Sequence, residues 1–303
     1  MSRFNRVYRL LVGKSGREGI EVTAPIRITF QVEKTAKEEP NFHTIRAYNL
    51  TPARRKEFET PDLRVRLYAG YAEEDGAVLM AAGAVVDAYS FHDGPDVVTE
   101  LRVADGYIEI RDTAVSLGYG AGITSSAVLR DLSTQMKLPL LLGEDVPDRS
   151  WANGFSFYGP ARTALHKITA GSGSEWSIQN QSLQVVAKRG VTRRGAIVLA
   201  ADSGLIGYPQ RTHKNAEEKA KVTDKTTGDD KRLVSAKQQK NGWRVTSLLL
   251  PTVNPGDLVK MESLSVTGFY RADSVTHNGD SEGGDWQTEL ELVDRNAPPP
   301  KKK

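Results

Sequence analysis

Apolar and polar residues alternate with a period of two through much of the first hundred positions, and this rhythm restricts the fold more than any other feature. In "PIRITFQVE" the apolar set is Ile26, Ile28, Phe30 and Val32; in "LRVRLYAGY" it is Leu63, Val65, Leu67, Ala69 and Tyr71. Successive side chains of a strand point to opposite faces, so such runs bury one face only, as antiparallel strands of a barrel or sandwich do. Weaker runs of the same kind predict strands at 6–12, 43–47, 78–89 and 96–103. Between two of them "TPARRKEFE" reads as one short helix, with Thr51 as N-cap and Pro52 at the first helical position.

The period changes in the middle of the chain. In "GITSSAVLRDLSTQMKLP" Val128, Leu132 and Met136 fall four apart behind a Thr or Ser cap, with Pro139 just past the end. "GPARTALHKITAGSG" repeats the logic, with Pro160 at the start, Ala161, Ala164, Leu165 and Ile168 on one face, and Gly171 placed to end the helix. "EWSIQNQSLQVVAKRG" then reads as a hairpin about a polar turn. Strand signals return after Val191 in "GAIVLAA", "WRVTSLLLP", "GDLVKMESLSVTGFYRADSV" and "WQTELELV".

A mixed-charge stretch at 213–240 interrupts them, with almost no large apolar residue to offset the entropy of ordering, and reads as an exposed arm. It holds eight Lys or Arg against five Asp or Glu, a surplus of three that equals the net charge of +3. The tail "PPPKKK" adds three more positives, so the remaining body is slightly acidic and composition does not support a basic nucleic-acid face.

With no cysteine, disulfides, thiolate metal sites and cysteine nucleophiles are excluded. No run approaches the roughly 20 apolar residues that span a bilayer, and the first residues show no apolar signal segment, so the expectation is a soluble chain made in the cytoplasm. "GKS" at Gly13–Ser15 lacks the Gly five positions earlier that a phosphate loop needs, since Tyr8 stands there, and reads as a hairpin turn with Gly13, Gly16 and Gly19. "GYGAG" at Gly118–Gly122 precedes a helix but has no parallel strand–helix–strand setting, and reads as a connector. The histidines at 43, 92, 166, 213 and 277 form no close pair, and no Ser sits in a nucleophile elbow. A glycosidase pair of carboxylates stays open, because their separation is a matter of tertiary structure.

The nearest approach to a site pattern is "NGDSEGGDWQTE", where Asn278, Asp280, Glu282, Gly283 and Glu289 match positions 1, 3, 5, 6 and 12 of a calcium loop. A calcium loop of that type lies between helices, whereas here both flanks alternate as strands, which puts Glu289 on the solvent face of a strand, away from the loop. The reading is a polar hairpin loop whose Asn-Gly and Gly-Gly supply positive φ. No catalytic, cofactor-binding or metal-binding residue is assigned.

Taken together, the segments resemble the baseplate hub proteins of contractile-tailed bacteriophages. The end of the chain, "LLLPTVNPGDLVKMES" running into "GFYRADSVTHNGDSEGGDWQTELELVD", looks like the family's C-terminal β-domain. "FYGPARTALHKI" with "GSEWSIQNQSLQVV" is similar to its central module, and "RVRLYAGY" followed by "VLMAAGAVVDA" to its first barrel. The fold expected is mainly β with a central α+β module: two antiparallel β-barrel-like domains, at 1–105 and 191–297, flanking a small helix-plus-hairpin domain at 106–190, with the insertion at 213–240 and a basic tail at 298–303. The resemblance implies a non-enzymatic structural protein of the virion tail baseplate, assembled in the host cytoplasm. It would form a homotrimeric ring that joins the tail tube to the central spike and docks baseplate wedge proteins, without cofactor, membrane contact or specific nucleic-acid binding. Its lumen would give the genome a way through. A hub-like part of a contractile secretion or toxin-delivery particle is the alternative, and a cell-wall glycoside hydrolase a more distant one.

Overall fold

The computed structural model describes residues 5–17, 19–192, 195–214 and 240–294. Most of the 213–240 stretch and all of the 298–303 tail lie outside the described residues. The first region runs β1 (Arg6–Lys14), β2 (Ile20–Val22), β3 (Ile28–Thr35), β4 (Asn41–Tyr48), α1 (Pro52–Phe58), β5 (Leu63–Tyr71), β6 (Gly76–Asp93) and β7 (Asp96–Asp105). The alternating runs behave as their chemistry dictates: Ile28, Phe30 and Val32 of β3, and Leu63, Val65, Leu67 and Ala69 of β5, face one core while the residues between face outward. In α1 the Thr51 hydroxyl accepts a bond from the Arg54 amide, and Pro52 opens the helix, where its missing N–H costs nothing.

The middle region holds α2 (Tyr107–Asp112), β8 (Ala114–Tyr119), β9 (Ile123–Thr124), α3 (Ser125–Gln135), β10 (Leu140–Leu142), β11 (Ser150–Trp151), β12 (Phe155–Pro160), α4 (Ala161–Ser172), β13 (Ser174–Gln179) and β14 (Ser182–Ala187). The apolar faces of α3 and α4 meet over the β13–β14 hairpin around the buried Trp176, in a core of their own. Asn180 and Gln181, both at positive φ, make the hairpin turn. Two details depart from the expectations above. Pro160 is the residue before α4 rather than its first, and Gly173, at φ 70°, ends the helix two residues after the Gly171 expected to do so. The short helix α2 carries too few residues to show a period.

The last region comprises β15 (Ile197–Ala200), β16 (Leu205–Lys214), β17 (Lys240–Leu248), β18 (Leu258–Glu262), β19 (Thr267–Asp280) and β20 (Trp286–Asp294), around a third apolar core that includes Val245, Met261, Tyr270 and Leu290. Pairing is antiparallel except for β15 with β18 and β10 with β14, which run parallel. The chain is thus mainly β with a helical centre. Its two end regions share one 13-stranded sheet, ordered β16-β17-β20-β19-β3-β4-β7-β6-β5-β1-β2, with β18 and β15 branching from β19.

Candidate functional site at the joint of the sheet

The join is made by the fourteen residues of β19. Its first half pairs with β18 at Thr267–Arg271, its second half with β3 at Ser274–Asp280, and β20 lies along the other edge from Tyr270 to Gly279. The change of partner falls where the register between β19 and β20 skips Asp273. A bulge of this kind bends a strand and raises its twist, which lets one strand serve two parts of the same sheet that face different cores.

At this point the alternation continues, but the inward residues turn polar. Lys34 follows Ile28, Phe30 and Val32 on the inner face of β3, and His277 follows Val275 on β19; both are fully buried. Register puts Thr288, His277, Val32, His43 and Val103 in one row across five strands. His277 Nδ1 lies 2.8 Å from the Thr288 hydroxyl, and Lys34 Nζ donates to Asn254 Oδ1 at 2.8 Å. Burial is the chief reason the His43 ring is pushed down to about 3, with the Lys34 ammonium adding to it. Burial likewise holds His277 well below its usual range, with Lys34 and His43 contributing. Both rings are therefore neutral at pH 7, the state in which a buried imidazole costs least.

The hairpin of the middle region plugs into the same place. Asn41 Nδ2 donates to the Ile178 carbonyl at 2.9 Å, Gln179 Nε2 to the Thr35 carbonyl at 2.8 Å, and the Gln181 amide to Asp105 Oδ1 at 3.0 Å. Asp105 is fully buried, and desolvation raises it to about 6 against the pull of those Gln181 bonds. On the other side Gln184 Nε2 donates to the Pro255 carbonyl at 2.7 Å and Arg271 pairs with Glu175, while Thr192, just past the middle region, donates to Asp257 at 2.7 Å. All three regions thus meet through polar bonds that are buried or partly buried.

Of the calcium-like residues, all but Glu289 lie at the far end of the join, where Asp280 anchors a clasp. Asn278 and Asp280 are in β19, Glu282 and Gly283 in the turn, and Glu289 is paired within the sheet between Thr276 and Thr246. Asp280 receives a two-pronged bond from Arg27, at 2.7 and 3.2 Å, and caps the Glu282 amide at 3.0 Å. Arg6 donates to the carbonyls of Asp280 and Gly284, and Ser281 exchanges bonds with the backbone of Ile28. Trp286, at the start of β20, is inserted into the first core edge-to-face with Phe30, centroids 5.2 Å apart. The carboxylate at template position 3 thus holds an arginine. Among the described residues no group of three or more His, Asp or Glu side chains is placed to hold a metal ion.

On the outer face of the same strands lies a cleft of about 470 Å³ lined by Thr44, Arg46, Tyr48, Glu100, Arg102 and Asp280. Burial raises the Glu100 carboxyl, but bonds from Arg46, Tyr89 and Arg102 outweigh it and hold the group below its usual range. Of the other residues considered from sequence, His166 is exposed with Nδ1 2.8 Å from Glu38, His92 is exposed on β6, and His213 falls in β16. Gly118–Gly122 ends β8 and turns into β9. The α3 amide at Ser126 is already taken by Asp148 at 2.8 Å, so that helix start offers no free anion seat. Lys34, Asp105 and Asn254 belong to the joint although no motif marks them. A charge at an inward position of the β3 alternation is the available signal for the first.

No protein-family model and no curated protein matches the sequence. Solved structures do match. A tail protein from Neisseria meningitidis superposes with a TM-score of 0.62 at 12% identity, over 95% of this chain and 96% of that one. A 43 kDa tail protein of a Mu-like prophage from Shewanella oneidensis gives 0.60 at 12%, over 95% and 97%. An Escherichia coli component of the type VI secretion system, described as structurally similar to the T4 bacteriophage tail proteins gp27 and gp5, gives 0.55 at 10%, over 93% and 76%. Across nearly its whole length, this chain has the fold of phage tail proteins.

Proposed function

We propose that the protein is the structural hub of a phage tail baseplate: a ring-forming trimer that joins tail tube to central spike, docks wedge proteins and carries no catalytic role. Its units would be those read from the sequence, 1–105, 106–190 and 191–297, and its place the virion tail after assembly in the host cytoplasm. The observation that carries this reading is the end-to-end match, over 95% of the chain, to two tail proteins of nearly the same extent. The joint supports it. A part that must keep tube and spike in register under load needs its β-regions fixed to each other, and a shared sheet with a buried polar lock resists hinging better than a linker would.

The likeness to a type VI secretion component favours, as second reading, the same mechanical role in a phage-derived particle. Native mass spectrometry with electron-microscope images of the purified chain tests the proposal. A ring of three with a central opening is the expected result, and a compact monomer at micromolar concentration overturns it. Co-purification with tube and sheath proteins of a secretion locus would select the second reading.

A further inference from the structure

The turn after β1, which carries the "GKS" of the sequence, closes over a pocket on the outer face of β1, β5 and β6, reached by the joint residue Gln181 at one edge. It has a volume of about 270 Å³ and is lined by Gly13 to Arg17 with Gly19, by Arg64 and Arg66 of β5, by Ala82 and Gly83 of β6, and by Gln181. The register explains its shape. Gly13, Arg64 and Ala84 form one cross-strand row on the outer face, and Leu11, Arg66 and Ala82 form the next. Two arginines two residues apart on one strand face therefore stand over a floor of glycine and alanine. The Lys14–Arg17 turn, closed by the Arg17 amide on the Lys14 carbonyl at 3.2 Å, forms the rim.

We infer that this pocket binds a phosphoryl anion. Four cations line it, and one of them, Arg64, is held by Glu109 Oε1 at 2.7 Å and Gln181 Oε1 at 2.9 Å. Lys14, Arg17 and Arg66 are exposed and have no side-chain partner among the described residues. Three cations around one cavity with no carboxylate partner among the described residues repel one another, and an anion entering it relieves that repulsion. A single carboxylate would neutralise one of them, whereas a phosphoryl group carries more charge and three acceptor oxygens, and its geometry matches the guanidinium fork. This seat differs from a nucleotide-binding phosphate loop in having no helix behind it: the field comes from side chains on a sheet. It stands independently of the hub reading.

The probe is sodium pyrophosphate, titrated calorimetrically into the intact chain at low ionic strength. Saturable binding is expected, weakened by added salt as exposed charge pairs are. Arg66→Ala, and Lys14→Ala with Arg17→Ala, should each lower the affinity by about tenfold or more, the size of one charge-assisted hydrogen bond. Arg130→Ala, an exposed arginine on α3, should leave it unchanged. The absence of saturable binding, or an equal loss in Arg130→Ala, overturns the inference. A competing oligothymidylate separates the two sources of the chemistry. Displacement sensitive to the same variants identifies a nucleic-acid backbone phosphate as the ligand, and failure to displace identifies a free phosphoryl compound; either result upholds the pocket.

Discussion

The first core and the joint beside it are equally closed to water, yet they do different jobs. Leu10, Ile28, Phe30, Ile45, Leu67 and Met80 fill the core with apolar surface. A few residues along the same strands, Lys34, His43, Asp105 and His277 are buried too. Apolar alternation fixes which face of a strand points inward, but a slip of two residues preserves the face. The joint removes that freedom, because such a slip would part His277 from Thr288 and Lys34 from Asn254. Burial of apolar area supplies cohesion, and the polar row supplies register. The lock has a steric element as well: Gly279 lies opposite Phe30, where an added Cβ would collide with the ring.

The contrast breaks most visibly at Trp286, which belongs to the core although its strand belongs to the far region. Trp286→Ala should cost about 3–5 kcal/mol, read as a lower urea midpoint with the same loss at pH 5 and pH 7, because no titrating group is removed. Gly279→Ala comes next, at about 1–3 kcal/mol, since the extra methyl forces Phe30 off its seat. Hydrogen exchange should then rise first along β3 and β19. Exchange that rises first in β5 and β6 would show that the seam is not where the strain goes.

The joint, unlike the core, should respond to acid. His43 binds its proton near pH 3 in the folded chain and near 6.5 when unfolded, and His277 is lowered in the same sense. The contribution of His43 is full above pH 6.5 and is lost as pH falls from 6.5 toward 3, and that of His277 is lost in the same direction. Asp105 opposes them: raised to about 6 from an ordinary 3.8, it contributes fully below 3.8 and loses its share as pH rises through 6. The two imidazoles, which take up protons on unfolding, oppose the one carboxyl, which releases its own, so acidification costs stability, by no more than about 1 kcal/mol per pH unit. Urea midpoints measured across pH 4–7 check this. Replacing His277 by Asn should flatten the slope, and an unchanged slope would remove His277 from the account.

Strand alternation alone makes the outer architecture legible, because burial of one face is a local property of five to nine residues. The helices α3 and α4 are legible for the same reason, Val128, Leu132 and Met136 marking a face directly. The seam is not, since pairing of 274–280 with 29–35 is decided across some 240 residues, and nothing in "SVTHNGD" says whether it faces β18 or β3. The hairpin loop shows the limit on site reading. Its acidic spacing fits a metal template, its alternating flanks argue for a hairpin, and only the fold reveals that Asp280 is aimed at Arg27. Lys34 is readable in principle, as a charge at an inward position, but its partner Asn254 comes from a loop more than 200 residues away.

The smallest expected effect lies in the clasp, where the comparison is sharpest because the pair is polar but reaches solvent. The Arg27 side chain is 35% exposed and that of Asp280 18%, and Arg27 also lies over the Tyr48 ring at 4.5 Å. Solvent screens such a pair, so its good geometry should bring Arg27→Ala to no more than about 1 kcal/mol. The loss should shrink in high salt, which the Trp286 and His277 effects should not. Arg27→Lys keeps the charge but loses the fork, and should recover only part of the difference. If Arg27→Ala instead costs as much as Trp286→Ala and is insensitive to salt, the clasp belongs with the buried lock, and the boundary between solvated and buried parts of the joint must move outward to include it.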